Sequence, residues 1–195
     1  KIVNILLVGQ DRRPGEGRAR SDSMILCSFN KTKGTIQMIS FLRDLYVPIP
    51  GGYMDNRLNA AYAMGGFELL DDALETNFGI RIDANIEVDF SGFTKVVDVL
   101  GGVDINLTQE EANWMNMGTY KGLEAGLNHM DGKTALNYSR IRHLTGDDFQ
   151  RTQRQRNMLR AIVDQSKNLN ILEINGLVQE ILPNVTTNLS DSQIL

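Results

Sequence analysis

Short apolar runs alternate along the chain with polar, glycine-punctuated connections. "IVNILLVG" at 2–9 is an apolar run stopped by glycine, the pattern of a strand buried on both faces. "SMILCSF" and "GTIQMIS" follow it, and the turn-rich "NKTKG" between them predicts three strands by residue 40. In "AMGGFELLDDALETNFG" the apolar positions Phe67, Leu70, Leu74 and Phe78 fall at helical spacing, with Gly79 as the stop. "NIEVDF" alternates like a strand, and "SGFTKVVDVLGG" reads as a short helix capped by Ser91 and ended by Gly101 and Gly102. "VDINLTQEEANWM" predicts a strand running into a helix, with Thr108 and Glu111 at capping-box spacing. "DGKTALNYSRIRH" predicts a helix entering a loop, and residues 148–168 carry the longest helical pattern. Repeats and low-complexity linkers are absent. Strands interleaved with helices throughout predict an α/β layered domain with a mostly buried sheet.

Composition narrows this picture. A chain of 195 residues, 42% of them hydrophobic, is enough for one globular domain, taken as 1–195, with a substantial core. The formal net charge of -4 gives no global attraction to nucleic acid or to an anionic membrane, so a polyanion must meet a local basic cluster. Cys27 is the only cysteine, which excludes an intrachain disulfide and a cysteine-based zinc site. Its flanks, Leu26 and Ser28, predict a buried apolar thiol. No apolar run reaches the roughly 18 residues that span a bilayer, and no signal peptide is visible at Lys1. Because the chain opens almost directly on a strand, we expect an upstream segment to have been removed.

Three polar clusters carry the candidate chemistry. "GQDRRPGEGRARSD" is a glycine-rich loop between two apolar strands, and it brings Asp11 and Asp22 to a sheet edge, where α/β folds bind ligands. Two carboxylates without histidine or thiolate partners suit a hard cation such as Mg2+; equally, Asp11 opens a turn and Asp22 caps or pairs with Arg20. In "SFLRDLYVPIP", Arg43 and Asp44 interrupt an apolar stretch, as a sheet-edge ion pair or as an anion-binding arginine oriented by its neighbour. In "YSRIRHLTGDDFQRTQRQR", Arg140 and Arg142 alternate along an extended segment and so point the same way. A helix after Asp147 and Asp148 then sets Arg151, Arg154, Gln155 and Met158 on one face. That stretch is either a solvated basic face capped by an aspartate or a guanidinium clamp for phosphate. His129 and His143 lack a metal-ligand spacing to one another; His129 reads as surface and His143 as a rim residue. Trp114, the single tryptophan, reads as a core or interface residue.

With "GQDRR", "RSDSMIL", "SFLRD", "NAAYAMGG", "VDVLGGVDINL", "YSRIRH" and "DDFQRTQRQ" in that order, the chain resembles the LytR-CpsA-Psr family of cell-wall phosphotransferases from about Asn4 to Gln165. The resemblance implies a central mixed β-sheet flanked by helices, an αβα layered sandwich, in a single domain with an apolar channel for a prenyl chain. It implies an extracytoplasmic enzyme of a Gram-positive bacterium, held to the membrane by an N-terminal helix that this chain lacks. Such enzymes move a phosphoglycan, such as teichoic acid or capsular polysaccharide, from a polyprenyl pyrophosphate carrier onto peptidoglycan. On that pattern Asp11 and Asp22 hold Mg2+ (or Mn2+) against the pyrophosphate. Arg20, Arg43, Arg140, Arg142 and Arg151 bind its oxygens, Gln155 supports them, and Asp148 aligns with an acidic residue at the pocket mouth that serves as base. One departure is the family's usual "SIPRD", here "SFLRD", so Phe41 and Leu42 are expected to alter packing while Arg43 and Asp44 keep the chemistry.

Three other readings use the same residues. A polyprenyl pyrophosphate hydrolase needs the same clamp with water as acceptor, and a lipid-binding module needs it without turnover. A nucleic-acid-binding regulator needs segment 140–156 as its contact surface; the acidic total, the absence of a helix-turn-helix pattern and the scarcity of aromatics there weigh against it.

Overall fold

The computed structural model describes residues 1–10, 20–118, 120, 122–142, 144 and 147–190, with Asp147 described by its backbone alone. The chain divides into two compact units, Lys1–Phe90 with Val185–Leu195, and Ser91–Asn184. Asp11 of the first polar cluster lies outside the described residues, as does His143 of the third.

The first unit is built on a five-stranded mixed sheet. Strands β1 (Ile2–Gln10), β2 (Ser21–Asn30) and β3 (Thr35–Phe41) follow in sequence. The β2–β3 turn is set by Asn30, whose Oδ1 accepts the backbone N–H groups of Thr32 and Lys33 at 3.1 and 3.0 Å. This turn fixes an antiparallel register that ends with Met24 opposite Phe41. β1 runs antiparallel to β2 and parallel to a strand at Ala84–Asp89; that strand is edged by a short antiparallel one at Val185–Thr187. Between them in sequence come β4 (Tyr46–Val47), β5 (Asn56–Arg57) and helix α1 (Leu58–Phe78); the two later strands are therefore β6 and β9, and the sheet order is β3-β2-β1-β6-β9.

α1 packs Leu58, Ala61, Leu70 and Leu74 onto Leu6, Val8, Met24 and Leu26 of the sheet. It begins five residues before the periodic stretch and bends at Gly66, whose φ of 69° and ψ of -150° are closed to other residues. Phe41 is buried, its ring 5.5 Å from that of Phe78, so the departure from the usual family motif is absorbed as core packing. Cys27 is buried as expected, and desolvation pushes its thiol pKa up to about 11. Asp71 on α1 accepts from Asn85 Nδ2 of β6 at 2.7 Å, and burial raises its carboxyl pKa to about 6. Solvent reaches the sheet more than the apolar runs suggest: from Ile5 to Gln10 the residues of β1 alternate between half-buried and buried, and Ile36 and Ile39 on edge strand β3 are exposed.

The second unit holds α2 (Phe90–Val99), β7 (Val103–Leu107), α3 (Gln109–Met117), β8 (Gly126–Met130), α4 (Gly132–Ser139), α5 (Asp147–Ser166) and α6 (Ile171–Ile181). β7 and β8 form an antiparallel pair. α2 starts at Phe90, so Ser91 lies inside the helix rather than capping it. The capping box at Thr108 and Glu111 is present. Gly132 follows from close approach, since a Cβ there would sit 2.2 Å from the backbone oxygen of Thr94. Trp114 packs at the edge of this unit's core, which includes Val97, Val103, Met115, Tyr138 and Met158.

A buried ion pair ties these elements together. Glu111 Oε2 accepts from Thr108 N in the capping box, while its Oε1 accepts from Arg154 Nε on α5 at 2.6 Å. Both side chains are almost fully enclosed, so neither charge is screened by water. Replacing Arg154 by methionine is expected to cost about 3–5 kcal/mol, because Glu111 is left buried without its cation. A urea titration reads this directly; an unchanged midpoint would contradict the role given to the pair.

Candidate active site

Within the first unit the sheet brings several chain segments to one end. The parallel strands β1 and β6 finish there at Gln10 and Asp89, which are in register, and β2 enters there with Ser21 opposite Gln10. The carboxyl ends of parallel strands are where α/β sheets place ligands. Asp22 is the second residue of β2, and Arg43 follows the last residue of β3 by two positions. Extending the Met24–Phe41 register by one pleat sets Asp22 opposite Arg43. Their side chains meet accordingly, Arg43 Nη1 donating to Asp22 Oδ1 at 2.6 Å.

Arg43 is therefore paired across the hairpin, and its Nε also lies 3.6 Å from Asp44 Oδ2. Asp44 reaches on to Arg57 Nη1 at 3.5 Å. The backbone here is fixed from the other side: Asn59 N donates to Arg43 O at 3.2 Å and Leu58 N to Leu45 O at 2.7 Å. These are first-turn N–H groups of α1, which have no partner within their own helix. Arg57, at the N-cap, makes no side-chain cap, so the carbonyls of the Arg43 segment do that work. The result is a half-buried guanidinium held in a fixed place, with Arg20 exposed at the entry to β2.

In the second unit the arginine-rich stretch is not a solvated face. Arg151 is 3% exposed and Arg154 5%, and Met158 lies in the core, so this face of α5 points inward. The acid that neutralises Arg154 comes from Glu111, outside the stretch. Asp148 lies within the first turn of α5 rather than at its N-cap, and its Oδ1 is 3.3 Å from Arg151 Nη2. Gln155 stands one turn beyond Arg151 and is half-buried. Arg140 is helical in backbone, closing α4 with φ of -100° and ψ of -1°, so the segment is not extended at that point. Arg140 and Arg142 are nonetheless both exposed on either side of buried Ile141. Arg154 Nη1 donates to Ile141 O at 3.2 Å, so the buried ion pair also positions the segment that carries those two arginines.

Three residues escaped the reading from sequence. Arg57 enters the Asp44 pair through hairpin pairing that two-residue strands do not signal. Asp89 brings a further carboxylate to the sheet end; the alternation in "NIEVDF" placed it on a strand without indicating which end. Glu87, buried on β6, accepts from Tyr62 of α1. His129 is exposed as expected; its Nδ1 lies 2.7 Å from Asp104 and its Nε2 2.9 Å from Gly101 O, and the bond to Asp104 raises its pKa.

A metal is a matter for the carboxylates alone. Among the described residues no three His, Cys, Asp or Glu side chains gather as a cation site. Mg2+ held through one or two carboxylates and substrate phosphates needs no such cluster, and Asp22, with two oxygens and about four lone-pair sites, can serve both Arg43 and a cation.

Comparison with known proteins gives this geometry its context. The LytR_cpsA_psr family model matches residues 1–195, and the chain belongs to that family, beyond the 4–165 over which its motifs are evident. Regulatory protein MsrR of Staphylococcus aureus (strain COL) is 35% identical over 195 residues, a match covering 98% of this chain and 58% of MsrR. Polyisoprenyl-teichoic acid–peptidoglycan teichoic acid transferase TagU of Bacillus cereus is 33% identical over 198 residues, covering 98% of this chain and 62% of TagU. The chain thus spans about six-tenths of these relatives. Among solved structures, TagT bound to LI-WTA superposes with a TM-score of 0.82 at 32% identity, covering 98% of this chain and 70% of that one. B. subtilis TagV superposes with a TM-score of 0.83 at 30% identity, covering 99% and 76%. The mixed α/β fold is that of these family members.

The Asp22–Arg43 contact is tested by a double-mutant cycle. Asp22→Ala and Arg43→Ala, alone and together, are expected to show a coupling of roughly 1 kcal/mol in urea unfolding, the scale of a half-exposed pair. Additive effects would contradict the register-built pair.

Proposed function

We propose that this chain is the catalytic region of a phosphotransferase that moves a phosphoglycan from a polyprenyl pyrophosphate carrier to a peptidoglycan sugar hydroxyl. The observation that supports it most is the pinned, half-buried Arg43 at the carboxyl end of the sheet in a member of this family. TagU is named for that transfer, and TagT was solved with LI-WTA. Location at the outer face of the membrane of a Gram-positive bacterium, with an apolar channel for the prenyl chain, belongs to the same reading. Among the described residues no helix is long and apolar enough to cross a membrane.

Phosphoryl transfer asks a protein for alignment and charge neutralisation more than for covalent chemistry. Arg43 and Arg20 in the first unit, and Arg140, Arg142 and Arg151 with Gln155 in the second, are assigned to the pyrophosphate oxygens. The acceptor oxygen bonds to the glycan-side phosphorus as that phosphorus loses its bond to the bridging oxygen, and polyprenyl phosphate leaves. Asp148 is assigned to take the hydroxyl proton. Asp11 and Asp22 are assigned to Mg2+ or Mn2+, which when bound neutralises charge on the pyrophosphate. The burial of Arg151 and Arg154 removes two arginines of the 140–156 segment from the surface that the nucleic-acid reading needs.

The test incubates the chain with Mg2+, a lipid-linked pyrophosphoryl saccharide and a peptidoglycan oligosaccharide, and follows products by mass spectrometry. Saccharide joined to peptidoglycan through one phosphate is expected, with Arg43→Ala slower by roughly a hundredfold or more. Free saccharide phosphate as the sole product would instead make the chain a hydrolase, and retained lipid without product a binding module.

A further inference from the structure

The β4–β5 hairpin carries an exposed aromatic surface that phosphate binding leaves unused. From residue 44 to 49 burial alternates, with Leu45, Val47 and Ile49 turned into the core and Asp44, Tyr46 and Pro48 turned outward. Tyr46 is paired in register with Arg57, which places both side chains on the same outer face. Arg57 contacts Asp44 at 3.5 Å, and Asp44 contacts Arg43 at 3.6 Å, so this face runs without a break into the Arg43 site. Tyr46 is 70% exposed; at the hairpin tip, Tyr53 is 47% and Met54 86% exposed. Exposed large side chains on a hairpin beside a charged site mark an interaction surface.

We propose that this face is a platform for the acceptor glycan, on which the Tyr46 ring stacks against the C–H face of an amino-sugar while Asp44 and Arg57 bond its hydroxyl and amide groups. The identity of the occupant rests on the transferase reading. The chemistry favours a saccharide over the other candidates. A pyranose offers an apolar face ringed by hydrogen-bonding groups, which complements an open tyrosine edged by one carboxylate and one guanidinium. A hydrocarbon surface would strip water from Asp44 and Arg57 without replacing it. An anionic lipid surface would meet an acid–base pair with no net positive charge. Continuity with Arg43 then gives the platform its purpose, since a ring held there lies beside the arginine assigned to the phosphate.

The test separates binding from turnover. The full chain is titrated with a soluble peptidoglycan-derived tetrasaccharide in the absence of any donor, followed by NMR. Tyr46→Ala is expected to weaken binding about tenfold, and Tyr46→Phe, which keeps the ring, to retain most of it. Leu127→Ala, at an exposed position in the other unit, is the control and leaves the affinity unchanged. Equal affinity in Tyr46→Ala would overturn the platform, as would tetrasaccharide-independent binding of the hairpin to phosphatidylglycerol vesicles. Transfer by Tyr46→Ala at an unaltered acceptor KM would overturn it too, while leaving the transferase reading intact. Ring-dependent sugar binding by a wild-type chain that transfers nothing would sustain the platform and overturn that reading.

Discussion

Arg43 stays where it is because two independent sets of backbone hydrogen bonds agree on its position. The Asx turn at Asn30 sets the β2–β3 register, and that register delivers Asp22 to the guanidinium. The first N–H groups of α1 bond the carbonyls of Arg43 and Leu45 from the opposite side. A helix start normally recruits a serine, threonine or aspartate cap; here Arg57 occupies that place and the main chain of the Arg43 segment supplies the acceptors. Loss of either constraint would free the arginine to sample rotamers, and a guanidinium that must be ordered on binding is a weaker oxyanion ligand than one already held.

The second unit solves the same problem with a buried charge pair. Glu111 serves the start of α3 and the middle of α5 at once, and Arg154 passes the constraint to the carbonyl of Ile141. A buried ion pair is a poor source of stability compared with apolar packing of equal volume. Its value here is geometric, because it fixes the backbone between Arg140 and Arg142 and leaves their side chains outward. The arginine-rich stretch thus divides its labour: Arg154 is structural, and Arg151, paired with Asp148, is enclosed on the same helix face.

Much of this was legible in the residues. Apolar runs and turn chemistry located β1, β2, β3 and β6, and the capping box at Thr108 marked α3, because each signal is local. The Asp22–Arg43 pairing was latent as well, since a turn centred between Thr32 and Lys33 sets positions 22 and 43 opposite one another. What escaped was what depends on distant chain. β4, β5 and β9 are two or three residues long, too short for a period to show. The ion pair of Arg154 is hidden in the sequence because its acid lies 43 residues away. Between Asp147 and Asp148 the sequence leaves the helix start open, because such starts are uncertain by a residue or two.

We propose Arg43 as a preorganised phosphate ligand rather than a sheet-edge ion pair. Equilibrium binding of a short-chain polyprenyl pyrophosphate to wild type and to Arg43→Lys tests it most directly, because lysine keeps the charge and loses the planar fork. Affinity reduced about tenfold or more in the lysine variant, with the fold intact, is the outcome this account predicts. Equal affinity in the two proteins would contradict it and return Arg43 to a purely structural role.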